Sequence, residues 1–513
     1  MDHIDRRDVL RLTSLGALAA LVPGRVIAAE SDASGKTLTI AYNVVLPSWD
    51  PTFGPFAVNP ATQSIFKSVF DQYIDQDPQL DFVPGLLTKW AWNADKTKIE
   101  LEVREGAFWH DGTPVTAEDV AWSLERAGDP KTGVVTLGIW RKIGNFVVDG
   151  NKITADVREY EPVVLKYMAF LTGYVLPKTA FEKTGAKAFS DKPIGSGPYM
   201  VEEFARNSFV RLKRFDKYWG PKPAFETIVF KFVTDPTSRI AEIERGSSDL
   251  AFDVPFEEFD RLKKNPNLVC VTTPITDIAM IFITNVEPML DRNVRLAMNY
   301  AIDKKALVDR LLRGYAVPID TLQAPQYSAY DPTIKTGYRP DEAKQLLAAS
   351  GYSPEKPVKF TIQTTHGYKP KDYDTIQAVV GMWRKVGIEA TVEVYEIAKH
   401  FELRAQHELA PAAFYDWGDS IADPFSSTGR TMYGPSPNSA WKTADLDAKI
   451  APLLSEKDEA ARIAGYKAID RYIAEEGYVI PLYQYVQPII YRKGLSFTPH
   501  EAGYILPQAA KPI

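Results

Sequence analysis

Lys98–Ala127, KIELEVREGAFWHDGTPVTAEDVAWSLERA, contains a strand, a turn and a helix in one short stretch. Ile99, Leu101 and Val103 alternate with Glu100, Glu102 and Arg104, the two-residue period of a half-buried strand. Asp111-Gly112 turns the chain. Thr116, with Asp119 three residues on, forms a capping-box pattern, and Val120, Leu124 and Ala127 then recur at helical spacing.

Outward from this stretch the first half keeps an α+β texture. Strand patterns occur at the chain start near Thr39–Tyr42, at Phe209–Phe215, at Thr227–Thr234 and at Leu250–Val254, and Thr237 is positioned to cap a short helix ending near Gly246. From Asp291 helices dominate. Val294, Ala297, Met298, Ala301, Val308, Leu311 and Leu312 predict one long amphipathic helix stopped by Gly314. Pro340–Gly351 is a second helix, with proline at its start and glycine at its end. Ile376, Val379, Val380 and Trp383 mark a third, closed by Gly387, and Ile388, Ala390, Val392 and Val394 alternate directly after it. Strand chemistry returns at Tyr478–Tyr483 and Ile489–Tyr491. No repeat of solenoid or propeller length is present, so two α/β lobes with the chain crossing twice are the economical architecture.

Composition bounds the function. The chain of 513 residues is too long for one small module, and 45% apolar with 25% charged residues is ordinary for a folded protein. Sixty basic residues against 66 acidic ones give a net charge of -6 with no long basic block, which argues against a nucleic-acid partner. Cys270 is the single cysteine, so no internal disulfide and no thiolate zinc cluster is available. The six histidines lack zinc-type spacing. No metal and no other cofactor is expected.

Asp5-Arg6-Arg7-Asp8-Val9-Leu10-Arg11, the mostly apolar run Leu12–Val22 and the small residues Ala28-Ala29 read as an export signal over 1–28. The paired arginines resemble a twin-arginine signal, although Val9 stands where Phe is usual. As a helix the apolar run reaches about 16 Å, half a hydrocarbon core, so a permanent membrane anchor is the poorer reading. The expected location is the periplasm.

Several segments together resemble one family. Besides 98–127 these are PIGSGPYMVEEF from Pro193, FDKYWGPKPAFETIVFKF from Phe215, DRNVRLAMNYAIDKKALVDRLLRGYAVP from Asp291 and GYVIPLY from Gly477. They are similar, in order, to the solute-binding proteins of ABC importers in the dipeptide, oligopeptide and nickel class, called family 5. The resemblance implies an α/β (mixed α+β) fold, a two-lobed clamshell of the periplasmic-binding-protein type II kind with an enlarged, discontinuous first lobe. Lobe I is then 29–278 plus 483–513, and lobe II is 279–482. It implies a monomer that captures a peptide, a peptide-like or another polar solute and delivers it to an inner-membrane permease complex, without catalysis.

The resemblance also points to binding residues. Peptide binders of this family have a Trp-x-x-Asp arrangement whose aspartate meets the peptide ammonium; counted from Trp417, that position is Ser420, with Asp419 one place early. Dipeptide binders grip the carboxylate with an arginine in the loop before a helix, and counting back from Trp383 reaches His366. Neither anchor of a small zwitterionic peptide is plainly in place, which favours a longer peptide or a sugar or opine conjugate. Tyr42, Trp49, Phe53, Trp417 and Tyr433 lie in loops whose family counterparts face the cleft, with core packing the alternative for each. Asn285 follows the first crossing strand, where a ligand hydrogen bond and a turn cap are both open readings. The rival class is an exported hydrolase using Asp416, Asp419 and Asp423, but their spacing in one loop does not set two carboxylates across a glycosidic bond.

Overall fold

The computed structural model describes residues 36–52 and 59–513; the segment 1–28, expected to be an export signal, and Phe53 lie outside the described residues. The architecture is mixed α/β around one eleven-stranded sheet. Its order is Ile388–Val394, Val358–Thr364, Ala412–Trp417, Leu268–Ile283, Val479–Arg492, Leu250–Phe252, Thr37–Tyr42, Thr227–Phe232, Phe209–Arg214 and Tyr199–Ala205, with Ala316–Pro318 added beside Val479–Arg492.

Thr37–Tyr42 runs parallel to both of its neighbours, and Val358–Thr364 runs parallel to Ile388–Val394 across the helix Asp372–Arg384. These are strand-helix-strand units in both halves. Between them lie the two longest strands, Leu268–Ile283 and Val479–Arg492, paired antiparallel from Leu268 opposite Arg492 to Phe282 opposite Val479. Their ladder is irregular between Pro274 and Ile278 and again between Ala279 and Met280.

A second sheet of four strands, Leu87–Trp92, Lys98–Val103, Lys152–Val157 and Ile143–Asp149, takes up the opening stretch. Ile99, Leu101 and Val103 are buried as the alternation predicts, in a core shared with Val120 and Leu124 of the helix Ala117–Gly128. The capping box forms: Thr116 accepts from the Asp119 N–H, and the Asp119 carboxylate accepts from the Thr116 N–H at 3.0 Å. His110 braces the Gly195-Ser196-Gly197 turn, its Nε2 donating to Gly197 O at 3.0 Å and its Nδ1 accepting from Gly195 N–H at 3.2 Å. Burial pushes the His110 imidazole down to about 4, so it is neutral in this brace. Gly195 is required by close approach, since a Cβ there would lie 1.9 Å from Val69 O.

Three expectations change. The helix expected from Asp291 to Gly314 is broken: Arg292–Tyr300 ends, and Asp303 starts a new helical segment by accepting from Ala306 N–H at 2.9 Å. A short polar side chain that caps competes with helix continuation. The helix Pro236–Glu244 is capped by Asp235, not Thr237, with Ser238 N–H donating to its carboxylate at 2.7 Å. The two terminal strands are one, Val479–Arg492, because the polar Gln484 is satisfied inside the fold. Its amide donates to Ile275 O and to Gln326 Oε1, each at 2.8 Å.

Candidate functional site

The strand Ala412–Trp417 delivers Trp417 opposite Ile278, and the chain then turns at Gly418. A Cβ on Gly418 would lie 2.5 Å from Thr276 O, so only glycine lets the chain pass the long strand this closely. In the loop that follows, Trp417 Nε1 donates to Ser426 O at 2.6 Å and Asp419 N–H donates to the Tyr327 hydroxyl at 2.9 Å. Ser420 is buried against segments distant in sequence: Gln76 Nε2 donates to its carbonyl at 2.7 Å and the Tyr504 hydroxyl to its Oγ at 3.1 Å. Ile421 packs into the hydrophobic cluster otherwise built from residues between Tyr73 and Val175.

The three aspartates here occupy three different electrostatic settings. Asp416 and Asp277 both hold the Lys369 ammonium at 2.8 Å, and together they overcome the cost of burial to raise the lysine well above its ordinary value. Burial pushes the Asp419 carboxyl up to about 7, only partly opposed by Ser426 and by the charge of Arg430. Asp423 is fully buried; burial disfavours its charge, yet Arg462, bidentate at 2.9 and 2.6 Å, and Lys166 at 2.6 Å hold it below the usual carboxylate range.

Lys369 is aimed by its loop. The Asp372 carboxylate accepts from the N–H groups of Gly367 and Tyr368 at 2.9 Å and of Tyr373 at 2.8 Å, and from the Thr365 hydroxyl at 2.7 Å. This knots residues 365–373 onto the first turn of the helix Asp372–Arg384. Across from the loop, His400 stacks on Tyr415 with ring centroids 4.0 Å apart, and a small cavity of about 10 Å³ lies between Tyr368, Lys369, Phe401 and Asp416.

Of the residues singled out from the sequence, Trp417, Asp419 and Ser420 come together in this loop. His366 is exposed at the start of the Asp372 knot, edge-on to Tyr373 at 5.3 Å. Tyr42 and Trp49 are fully buried: Tyr42 packs edge-on to Phe230 and Phe252 and its hydroxyl donates to Ala61 O, and Trp49 packs edge-on to Phe66 and Phe204. Asn285 stands beyond the Ile283–Ala412 pair, at the opposite end of that ladder from Trp417, where its Oδ1 accepts from Lys442 N–H at 2.5 Å. The sequence reading did not single out Lys369, Arg404, Arg430, Gln76, Tyr327 or Tyr504. Lys369 had a signal, lying three residues past His366 in the same loop; the others reach Trp417, Asp419 or Ser420 only through the tertiary fold.

Among the described residues no group of three or more His, Cys, Asp and Glu side chains is arranged to hold a metal ion, and no helix is long and apolar enough to cross a membrane. Residues 81–439 match the family model described as bacterial extracellular solute-binding proteins, family 5 middle. The chain belongs to this family. It is therefore the substrate-binding component of an ABC importer, working with a permease on a small-molecule or peptide solute, and not an enzyme. The glutathione-binding protein GsiB of Shigella flexneri is 27% identical over 494 residues, covering 92% of each chain. The solved structure of HbpA2 from Haemophilus parasuis superposes with a TM-score of 0.81 at 20% identity, over 93% of this chain and 100% of that one. A dipeptide binding protein from Pseudoalteromonas sp. SM9913, in complex with Met-Leu, gives a TM-score of 0.77 at 21% identity, with the same coverage.

Proposed function

We propose that this solute-binding protein works in the periplasm as a monomer, exported on a twin-arginine signal, and encloses a peptide or peptide-like solute between two lobes. Lobe I is 29–278 plus 483–513 and lobe II is 279–482. The irregular ladder around Pro274–Met280 supports a hinge at the first boundary, because lost register is where two paired strands bend most readily. Solute contacts made only when both lobes engage shift the population from open to closed.

The observation that carries this reading is the burial of the 419–423 loop, in proposed lobe II, against Gln76, Tyr504 and the Tyr73–Val175 core of proposed lobe I. A loop that bears Trp417 and Asp419 and is held by both lobes is where an enclosed solute reports closure. The relatives' ligands, glutathione and Met-Leu, support a peptide-like class. Carbohydrate or opine conjugates are the second reading, favoured by the absence of arginine at His366.

A thermal-shift and calorimetric panel of glutathione, dipeptides, tri- to pentapeptides, opines and oligosaccharides, combined with solution scattering, tests it. A peptide-like solute is expected to raise the melting temperature by mass action and to shrink the radius of gyration, with simple dipeptides giving little shift. Binding confined to oligosaccharides or opines establishes the second reading, and a radius unchanged by any bound solute refutes the clamshell.

A further inference from the structure

The strand Leu87–Trp92 is an outer strand of the four-stranded sheet, and one margin of the core behind it stays open. Trp90 and Trp92 stand opposite Leu101 and Ile99 and pack against that core without closing it. Together with Phe82, Tyr160 and Leu165, each half-buried, they line a cavity of about 280 Å³. Trp92 and Tyr160 form a corner of aromatic faces, with ring centroids 5.1 Å apart and planes inclined by 58°.

The walls are fixed by bonds to distant parts of the chain. Lys96 Nζ donates to the Tyr160 hydroxyl at 3.2 Å and to Lys457 O, and Lys457 Nζ donates back to Asp95 O at 2.9 Å. The two ammonium groups lie 5.2 and 5.8 Å from the Tyr160 ring centroid. Lys166, also in the lining, holds Asp423 at 2.6 Å and Glu459 at 3.1 Å. Walls ordered in advance lower the entropic cost of taking up a ligand.

Donors outnumber acceptors in this lining. Lys96 and Lys166 each use two of their three N–H donors in the bonds above. The Tyr160 hydroxyl accepts from Lys96, and among the described residues no acceptor takes its own proton or the indole N–H of Trp90 or Trp92. The Glu459 carboxylate is shared between Lys166 and Arg462. A plain aromatic ligand would cover the rings and leave the donors to water, and a small anion would meet the donors and leave the rings bare. A saccharide ring does both: its apolar C–H face stacks on indole and phenol rings while its oxygens accept hydrogen bonds around the edge. The volume is at the lower end of the range for ligand pockets, the size of a single ring with its substituents.

We infer that this cavity is a saccharide-binding site taking one sugar ring against Trp90, Trp92 and Tyr160. It shares no lining residue with the 417–420 segment, and it adjoins that region through Lys166 and Asp423. It goes beyond solute capture and does not depend on what the solute is.

The test uses the protein labelled with fluorotryptophan. The fluorine resonances are assigned with Trp90→Phe, Trp92→Phe and Trp417→Phe, and the probes are glucose, N-acetylglucosamine, glucuronate, cellobiose and chitobiose. At least one saccharide is expected to shift the Trp90 and Trp92 resonances saturably, with a Kd on the order of 1 mM. Trp92→Leu and Tyr160→Leu are each expected to weaken that binding roughly tenfold. Tyr160 follows the strand Lys152–Val157 and reads the same cavity from another element, so misfolding of one variant leaves the question answerable. A saccharide that shifts Trp417 but neither Trp90 nor Trp92 overturns the inference and assigns the sugar to the solute site. Shifts of Trp90 and Trp92 by indole or p-cresol, with none by any saccharide, overturn it in favour of an aromatic ligand. Unchanged saccharide affinity in both variants, or no shift with any probe, also overturns it, and peptide capture stands in each of these cases.

Discussion

Lys166 Nζ lies 2.6 Å from Asp423 Oδ2, joining residues 257 positions apart through a carboxylate that is fully buried. Arg462 grips the same carboxylate with two bonds, and Glu459 pairs with both Lys166, at 3.1 Å, and Arg462 Nε, at 2.8 Å. The unequal partners predict an order of mutational cost. Lys166→Met leaves Asp423 compensated by Arg462 and is expected to destabilise by about 1–2 kcal/mol. Asp423→Asn leaves the buried Arg462 with Glu459 alone and is expected to cost about 3 kcal/mol or more. Urea midpoints at unchanged slope measure both, and a larger loss for Lys166→Met would contradict the assignment of Arg462 as the main partner.

Asp419 predicts a pH signature. Its folded carboxyl titrates at about 7 against an ordinary value of 3.8, so the protonated form favours the folded state. Its contribution is complete below pH 4, declines as the pH rises toward 7 and is lost above. Asp419→Asn removes the ionisation, so the variant's stability advantage is expected to be absent at pH 4 and to reach about 4 kcal/mol at pH 8. Melting temperatures of the two proteins across that range decide it; a difference that does not vary with pH contradicts the burial of this group.

Asp372 is expected to control the loop that aims Lys369. Asp372→Ala strips the acceptor from four backbone N–H groups and the Thr365 hydroxyl, at a cost of about 2 kcal/mol, and should speed amide hydrogen exchange at Gly367, Tyr368, Lys369 and Tyr373. Unchanged exchange at those amides would show that the knot is held by other contacts.

Gly195→Ala should be among the most damaging conservative changes in the chain. Its new methyl group would lie 1.9 Å from Val69 O, with Val69 C 2.8 Å away, and backbone offers no flexible end to yield. A loss of about 3 kcal/mol or more is expected in chemical denaturation, together with exposure of His110 to titration by NMR. Gly138→Ala, where no atom beyond its chain neighbours and its own helix backbone lies within 4 Å of the added carbon, is the matched control.

The local elements were legible in the sequence because their determinants are neighbours. The Thr116–Asp119 box, the alternation from Ile99 to Val103, and the glycines at 351 and 387, both with positive φ, act over a few residues. Where a short-range competitor was overlooked, as with the caps at Asp235 and Asp303, the element boundary moved. The continuity of Val479–Arg492 was hidden because Gln484 reads as a strand breaker until Ile275 and Gln326 are seen to satisfy it.

By itself the sequence determined the family and the transport role, since family motifs and the periodicities that form strands and helices are written in consecutive residues. Only the tertiary structure decided what surrounds Trp417: which aspartate is paired, which has its carboxyl pushed up by burial, and that Arg404 and Arg430 both lie against its indole while Tyr42 and Trp49 are enclosed in the core. Gln76 reaches Ser420 across 344 residues and Lys166 reaches Asp423 across 257. Charge state, burial and the pairing of donors depend on distance in space, and distances of that kind exist only once the chain has folded.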